Sequence, residues 1–477
     1  MLYDQQEHMH LESGLIFKSI KLNSMKNIIK LSCLFAILWL LGSCKKYLDE
    51  KPDSKLAIPR SLKDLQALLD NSDFMNFKTP CLDEASSDDY YLTDNTFQSL
   101  SAIERSVYTW DYKGESTYPN DWSFIYDAVN ISNIVLENIE DVPSDVTNKE
   151  EWNSIKGSAL FFRAKSFLHA AFIFAKAYDE NTATSDFGIP LRLSSDYSVP
   201  STRANNEGTY SQIVNDLKAA IPLLPITAKH VMRPSKTAAY GLLARTYLAM
   251  RKYNEAFKYA DSTLQLNSNL LDYNELNVTD LIPFTQFNKE VLFNNIILSY
   301  TVTTIVPGLA IVDSTLYNSF NANDLRKEAF FIDFGDGPVF KGTYDGSFGY
   351  LFNGIATDEV LLTRAECYAR AGKITDSMAD LNTLMKTRWN NAVAYTPFTA
   401  STGTEALNLI LTERRKELIF RGVRWMDIKR LNKEGANIIM TRNMNGTVYT
   451  LPANDNRFAL PIPADVINLT GMPQNQY

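Results

Sequence analysis

The chain has 477 residues, 45% of them hydrophobic and 12% aromatic, enough to bury a large core. Its 47 basic residues are outnumbered by 55 acidic ones, a formal net charge of -8, which argues against a basic stripe able to displace counterions from nucleic acid. Only Cys81 and Cys367 follow residue 44, so a disulfide-dense scaffold is excluded, although a single bridge between them stays open.

Residues 1–43 read as an upstream extension and a targeting segment, with Met25 giving a signal of ordinary proportions. Lys26 and Lys30 precede an apolar run, Leu31–Leu41, that is too short to cross a bilayer as a mature helix. Leu41, Gly42, Ser43 and Cys44 then resemble the lipobox of bacterial lipoproteins. That likeness implies acylation of Cys44 and a protein tethered outside the cytoplasm by lipid. An ordinary secretory signal that carries a cysteine is the alternative. Lys45–Lys55 is polar and reads as a flexible tether.

Ser61–Leu69 has leucines at helical spacing, and 70–121 reads as a loop-rich stretch. Trp122, Ile125, Tyr126, Val129 and Leu136 share one helical face, and that helix should end before Pro143. Gly157–Tyr178 is apolar over most of its circumference, as a helix packed on several sides must be. Gly188–Leu191 reads as an exit turn, and Thr209 with Gln212 has the spacing of a capping box for a helix that stops at Pro222.

Between Lys236 and Leu266, Ala244 and Tyr247 precede Ala256 at the intervals of a tetratricopeptide helix pair, with a turn at Arg251–Tyr253. Val360–Trp389 repeats the arrangement through Ala365, Tyr368 and Ser377, with its turn at Gly372. Ala164 and Phe167 suggest a third such first helix. The expected fold is mainly α: stacked helix pairs with long loop insertions and few short strands. The expected division is 44–266 and 267–477. The largest insertion, 267–357, carries a strand candidate at Val291–Leu298 and a Gly-rich aromatic stretch from Gly335 to Tyr350.

Ile410–Arg430 (ILTERRKELIFRGVRWMDIKR), Ala459–Pro463 (ALPIP) and the ending Gln474–Tyr477 resemble the signature of the SusD/RagB family of outer-membrane lipoproteins. Gly157–Tyr178, Gly188–Leu191, Asp216–Pro225, Arg233–Leu248 and Glu359–Ala369 fall in that family's order, so the likeness spans nearly all of 44–477. It implies a SusD-like fold and a cell-surface lipoprotein on the outer membrane. It also implies capture of glycan for a SusC-like TonB-dependent transporter, with peptide as the other ligand class. Arg421 stands where the family often has Glu and reads as a surface change. The charges of Ile410–Arg430 are too many to bury unpaired, so several should pair across turns and with neighbouring elements.

No HExxH, GxSxG, Walker A, EF-hand or CxxC pattern is present, and His169 sits in an apolar helix, which suits a core residue better than a base. No cofactor, metal site or nucleic-acid partner is expected, and binding is favoured over a lipid-anchored glycan hydrolase or a pure scaffold. Sugars present flat, partly apolar faces that loop aromatics cover, while Asp or Asn takes the hydroxyls. Two places qualify: Asp88, Asp89, Tyr90 and Tyr91 with Tyr112 and Tyr118, and Tyr344 with Phe348 and Tyr350. Trp110 and Trp122 fit structural packing.

Overall fold

The computed structural model describes residues 59–115, 117–297, 305–306 and 308–476; the signal segment, Cys44 and the tether lie outside them. The first long helix, α1 (Asp121–Asn138), is capped by Asn120, whose side chain accepts from the Ser123 N–H. Next comes α2 (Lys149–Phe174), buried on every side from Gly157 onward. A Cβ on Gly157 would stand 3.0 Å from Leu223 and Leu224, so glycine here lets the chain leaving the third helix cross close to α2. That helix, α3 (Asn206–Ala220), starts earlier than its Thr209–Gln212 spacing suggests: Asn205 caps it through the Gly208 N–H at 2.7 Å. The Thr209 hydroxyl instead donates to the Asn205 carbonyl and accepts from the Ile189 N–H. Phe187–Pro190 is accordingly a strand paired with Arg203–Asn205 rather than a simple exit turn.

Helices α4 (Lys236–Ala249) and α5 (Tyr253–Leu266) form one antiparallel pair; α6 (Thr357–Arg370) and α7 (Ile374–Lys386) form the next. The two turns are built alike. Arg251 and Gly372 both adopt positive φ, 59° and 72°. The following N–H groups, of Lys252 and Lys373, each donate at 2.9 Å to the carbonyl of the matching tyrosine, Tyr247 or Tyr368. Although the insertion separates the pairs, α5 packs directly on α6, so the array continues in space across the break in sequence. Two further helices, α8 (Gly403–Glu417) and α9 (Arg424–Asn432), carry the Ile410–Arg430 motif, with α8 packed on α6. From Arg60 to the end the chain is one compact unit around a continuous hydrophobic core.

The stretch 70–121 is less loop-like than its composition implies. It holds the short helices Leu82–Ser86, Asp94–Ser99 and Ala102–Tyr108, the last with a Ser101–Glu104 capping box. In the insertion, the strand expected at Val291–Leu298 breaks into Val291–Phe293 and Ile296–Ile297, which pair separately with Ile355–Ala356 and Leu351–Phe352. A four-stranded antiparallel sheet joins the two regions: β1 (Tyr90–Tyr91), β2 (Ile311–Val312), β3 (Phe331–Asp333) and β4 (Pro338–Phe340), in the spatial order β1-β2-β4-β3. Cys81 and Cys367 are separate, buried thiols.

Candidate functional site

The site is built on that sheet, where side chains alternate between its faces. Tyr90, Val312 and Phe340 point into the core, with Tyr90 and Phe340 against Phe420. Tyr91 takes the other face, in register with Ile311 and, one strand further, Val339. Tyr91 is 41% exposed. Between β3 and β4 the turn Phe334–Gly337 is held by Asp333, whose Oδ1 accepts from the Gly335 and Gly337 N–H groups at 2.7 and 3.1 Å. Gly337 has φ 129°, and a Cβ there would lie 2.8 Å from Ile311 and 3.6 Å from the Tyr91 hydroxyl. A glycine is thus required both by the backbone and by the side chains that reach the turn.

Phe334, in this turn, is 64% exposed. The half-buried ring of Phe348 meets it edge-on at 6.1 Å, and Tyr350 is exposed two residues further on. Alongside β3 runs a cleft of about 360 Å³ lined by Tyr317, Ala322, Lys327, Glu328, Phe331, Ile332, Asp333 and Pro338. The Lys327 ammonium lies 4.7 Å over the Tyr317 ring, which packs edge-on against Phe331 at 5.4 Å. Aromatic rings, two exposed carboxylates and one ammonium therefore converge on a single sheet edge. A cleft of about 490 Å³ at the α4–α5 and α6–α7 turns is lined mainly by charged side chains, and its one ring, Tyr253, is already covered by the Arg370 guanidinium at 4.1 Å.

Several residues expected to meet ligand hold the frame instead. Asp88 receives a two-pronged bond from Arg424 at 2.6 and 2.9 Å, and Asp89 pairs with Arg415 at 2.8 Å. Burial alone would raise the Asp88 carboxyl, but Arg424 and Arg415 outweigh it and hold the group well below the usual carboxylate range. Tyr90 is 3% exposed and donates to the Ala85 carbonyl at 2.6 Å. Tyr112 is likewise buried. Tyr344 is 2% exposed, its hydroxyl bonded to Tyr273 at 2.9 Å and Glu290 at 2.8 Å. These rings lie inside because the sheet's core face and the Glu290 carboxylate give their apolar and polar parts partners that a loop position lacks. Of the nine expected ligand residues, Tyr91 on the sheet and Phe348 and Tyr350 in the loop beside its turn carry rings at the surface, while Tyr118 is exposed elsewhere, in the loop before Asn120. Trp110 is core: its indole N–H donates to the Ser86 carbonyl.

Phe334, Tyr317, Lys327 and Asp333 escape the sequence reading. The signal for Asp333 and Phe334 was present: Asp333, Gly335 and Gly337 between the apolar pieces Phe330–Ile332 and Pro338–Phe340 have the make-up of a hairpin turn, whereas nothing local marks Tyr317 or Lys327.

Behind the site, the signature helices supply the charges that fix it. Arg326, fully buried, bonds Asp324, Glu413 and Glu417; Arg388 bonds Glu417 and Glu290. Burial raises the Glu290 carboxyl to about 7 against the pull of Arg388. Arg421 is not on the surface: it is 5% exposed, paired with Asp358 at 3.0 Å and stacked on Tyr344 and Phe352 at 4.9 and 4.6 Å. A Glu at that position would set two carboxylates side by side in the core. His169 is buried in α2, and desolvation holds its imidazole well below its ordinary value, so it is neutral.

Two family models match the chain. One, described as starch-binding associating with outer membrane, covers residues 46–248; the other, the SusD family, covers 357–477. The chain belongs to the SusD family. Solved structures agree on the fold. A SusD superfamily protein from Bacteroides thetaiotaomicron superposes with a TM-score of 0.70 at 23% identity, over 87% of this chain and 100% of that one. A SusD-like carbohydrate binding protein from Bacteroides vulgatus gives 0.60 at 21% identity, over 82% and 89%. A laminarin binding SusD-like protein gives 0.63 at 18% identity, over 86% and 97%. A comparison with curated proteins gave no match. Among the described residues no helix is long and apolar enough to cross a membrane, and no group of three His, Cys, Asp or Glu is placed to hold a metal ion.

Proposed function

We propose that this SusD-family chain is a lipid-anchored protein of the cell surface that captures oligosaccharide on the sheet bearing Tyr91 and Phe334 and passes it to a SusC-like TonB-dependent transporter. The observation that carries the capture step is the exposed ring of Phe334, directly after Asp333 and beside a cleft with Asp333, Glu328 and Lys327 on its walls, with Tyr91 exposed on β1 and its hydroxyl reaching toward Gly337 of the same turn. Rings cover the C–H face of a pyranose, the carboxylates accept from hydroxyls, and the ammonium donates to sugar oxygens. Binding without turnover is the role this surface supports. The lipobox at Leu41–Cys44 supports the anchor, and the helix-pair array offers a broad rigid face for a transporter. The test is electrophoresis of the intact lipoprotein through gels containing single polysaccharides. Retardation by a polysaccharide, with no shortening of its chains, supports capture; release of reducing ends would mean a hydrolase.

Peptide capture is the second reading, favoured by one observation. β3 is one of the two outer strands of the sheet and borders the cleft, so an extended peptide would find an edge to pair with.

A further inference from the structure

The charges around the cleft bear on which sugars it takes. Asp333 and Asp336, in and beside the turn, are exposed, as is Glu328 on the short helix Arg326–Phe330. The one cation on the cleft wall, Lys327, has its ammonium over the Tyr317 ring. The nearest guanidinium behind the wall, Arg326, is shared among Asp324, Glu413 and Glu417, and so offers nothing to a ligand anion. Arg388, equally buried, is divided between Glu417 and Glu290. A ligand at this edge therefore meets the carboxylates of Asp333 and Glu328 and a single ammonium, with the exposed Asp336 charge beside them on the turn and rings that prefer a C–H face.

We infer that the cleft selects neutral sugar units and turns away uronate or sulfated ones. The inference rests on the glycan reading above and adds the charge class of the ligand. Hydroxyls of a neutral pyranose donate to the fixed carboxylate of Asp333 and to Glu328 at no electrostatic cost. A carboxylate or sulfate in the same place stands against like charges, which is discrimination by repulsion rather than by added contact.

The intact lipoprotein in mild detergent is titrated with neutral β-1,3-glucan, α-1,4-glucan and xylan oligosaccharides and with oligogalacturonides of matched length, at roughly 20 and 500 mM salt. A neutral probe should bind, with every uronate probe at least tenfold weaker at low salt and the gap narrowing at high salt. Asp336→Asn, which removes a charge beside the cleft and none from its walls, should narrow the low-salt gap while leaving the neutral affinity within about twofold. A uronate probe that binds as tightly as the best neutral one overturns the inference and leaves glycan capture standing. Binding of neither sugar class, or of an extended peptide alone, overturns both.

Discussion

Arg326 and Glu417 are joined by a fully buried ion pair of 2.9 Å, although the two residues stand 91 positions apart in the chain, one in the insertion and the other on the signature helix α8. Glu417 also accepts from Arg388 at 2.7 Å, so one carboxylate ties two arginines to α8. Because Lys327 follows Arg326 directly, this pair sets where the cleft wall stands. Arg326→Met would leave Asp324, Glu413 and Glu417 buried and short of a cation, a change that typically costs about 3–5 kcal/mol. Urea denaturation should show a loss of that order; a loss under 1 kcal/mol would mean the network is dispensable.

Tyr344 provides the contrast between frame and surface. Tyr344→Phe removes the hydroxyl between Tyr273 and Glu290 and should cost roughly 1–3 kcal/mol of stability. Ligand affinity should stay within about twofold, since the ring is buried against Phe284 and Phe352. Weakened binding with an unchanged melting temperature would return Tyr344 to the site.

Glu84 gives a pH signature. Burial first, then the nearby Asp89 and Asp83 carboxylates, push its carboxyl up to about 8, while its Oε2 accepts from the Gly422 N–H at 2.7 Å. A group raised on folding contributes stability that is complete below its unfolded pKa, near 4.3, and is lost as pH climbs to the folded value. Glu84→Gln keeps an acceptor for Gly422 and removes the titration. The melting temperature of this variant should therefore gain on the parent by a few degrees between about pH 5 and 8. An advantage that does not change with pH would contradict the assignment.

The helix array was readable because its signals are local and periodic. Tyr247 and Tyr368 announced two identical turns from spacing alone. The site was harder to read, because exposure is not a local property. Tyr90 and Tyr91 are adjacent and chemically identical, and only pairing with Ile311 and Val312 decides which ring faces solvent. Asp88 and Asp89 looked like sugar-binding acids because their partners, Arg415 and Arg424, lie more than 300 residues away. Arg421 misled for the same reason, its partner Asp358 lying on another helix. What could have been recovered is Phe334, from the Asp and Gly residues around it.

The anchor is tested by location. Cys44→Ala should remove the acylation site and move the protein from the outer-membrane fraction to the soluble one. A variant as membrane-bound and as accessible on intact cells as the parent would refute the lipid tether.

Central to the proposed function is capture of glycan by the exposed rings of Tyr91 and Phe334. Once a binding oligosaccharide has been found, calorimetric titration of the intact lipoprotein and its Tyr91→Ala and Phe334→Ala variants tests it most directly. Each variant should bind about tenfold more weakly, equivalent to about 1.4 kcal/mol, with a melting temperature close to the parent's, because exposed rings contribute little to the core. Affinities equal to the parent's in both variants would contradict it.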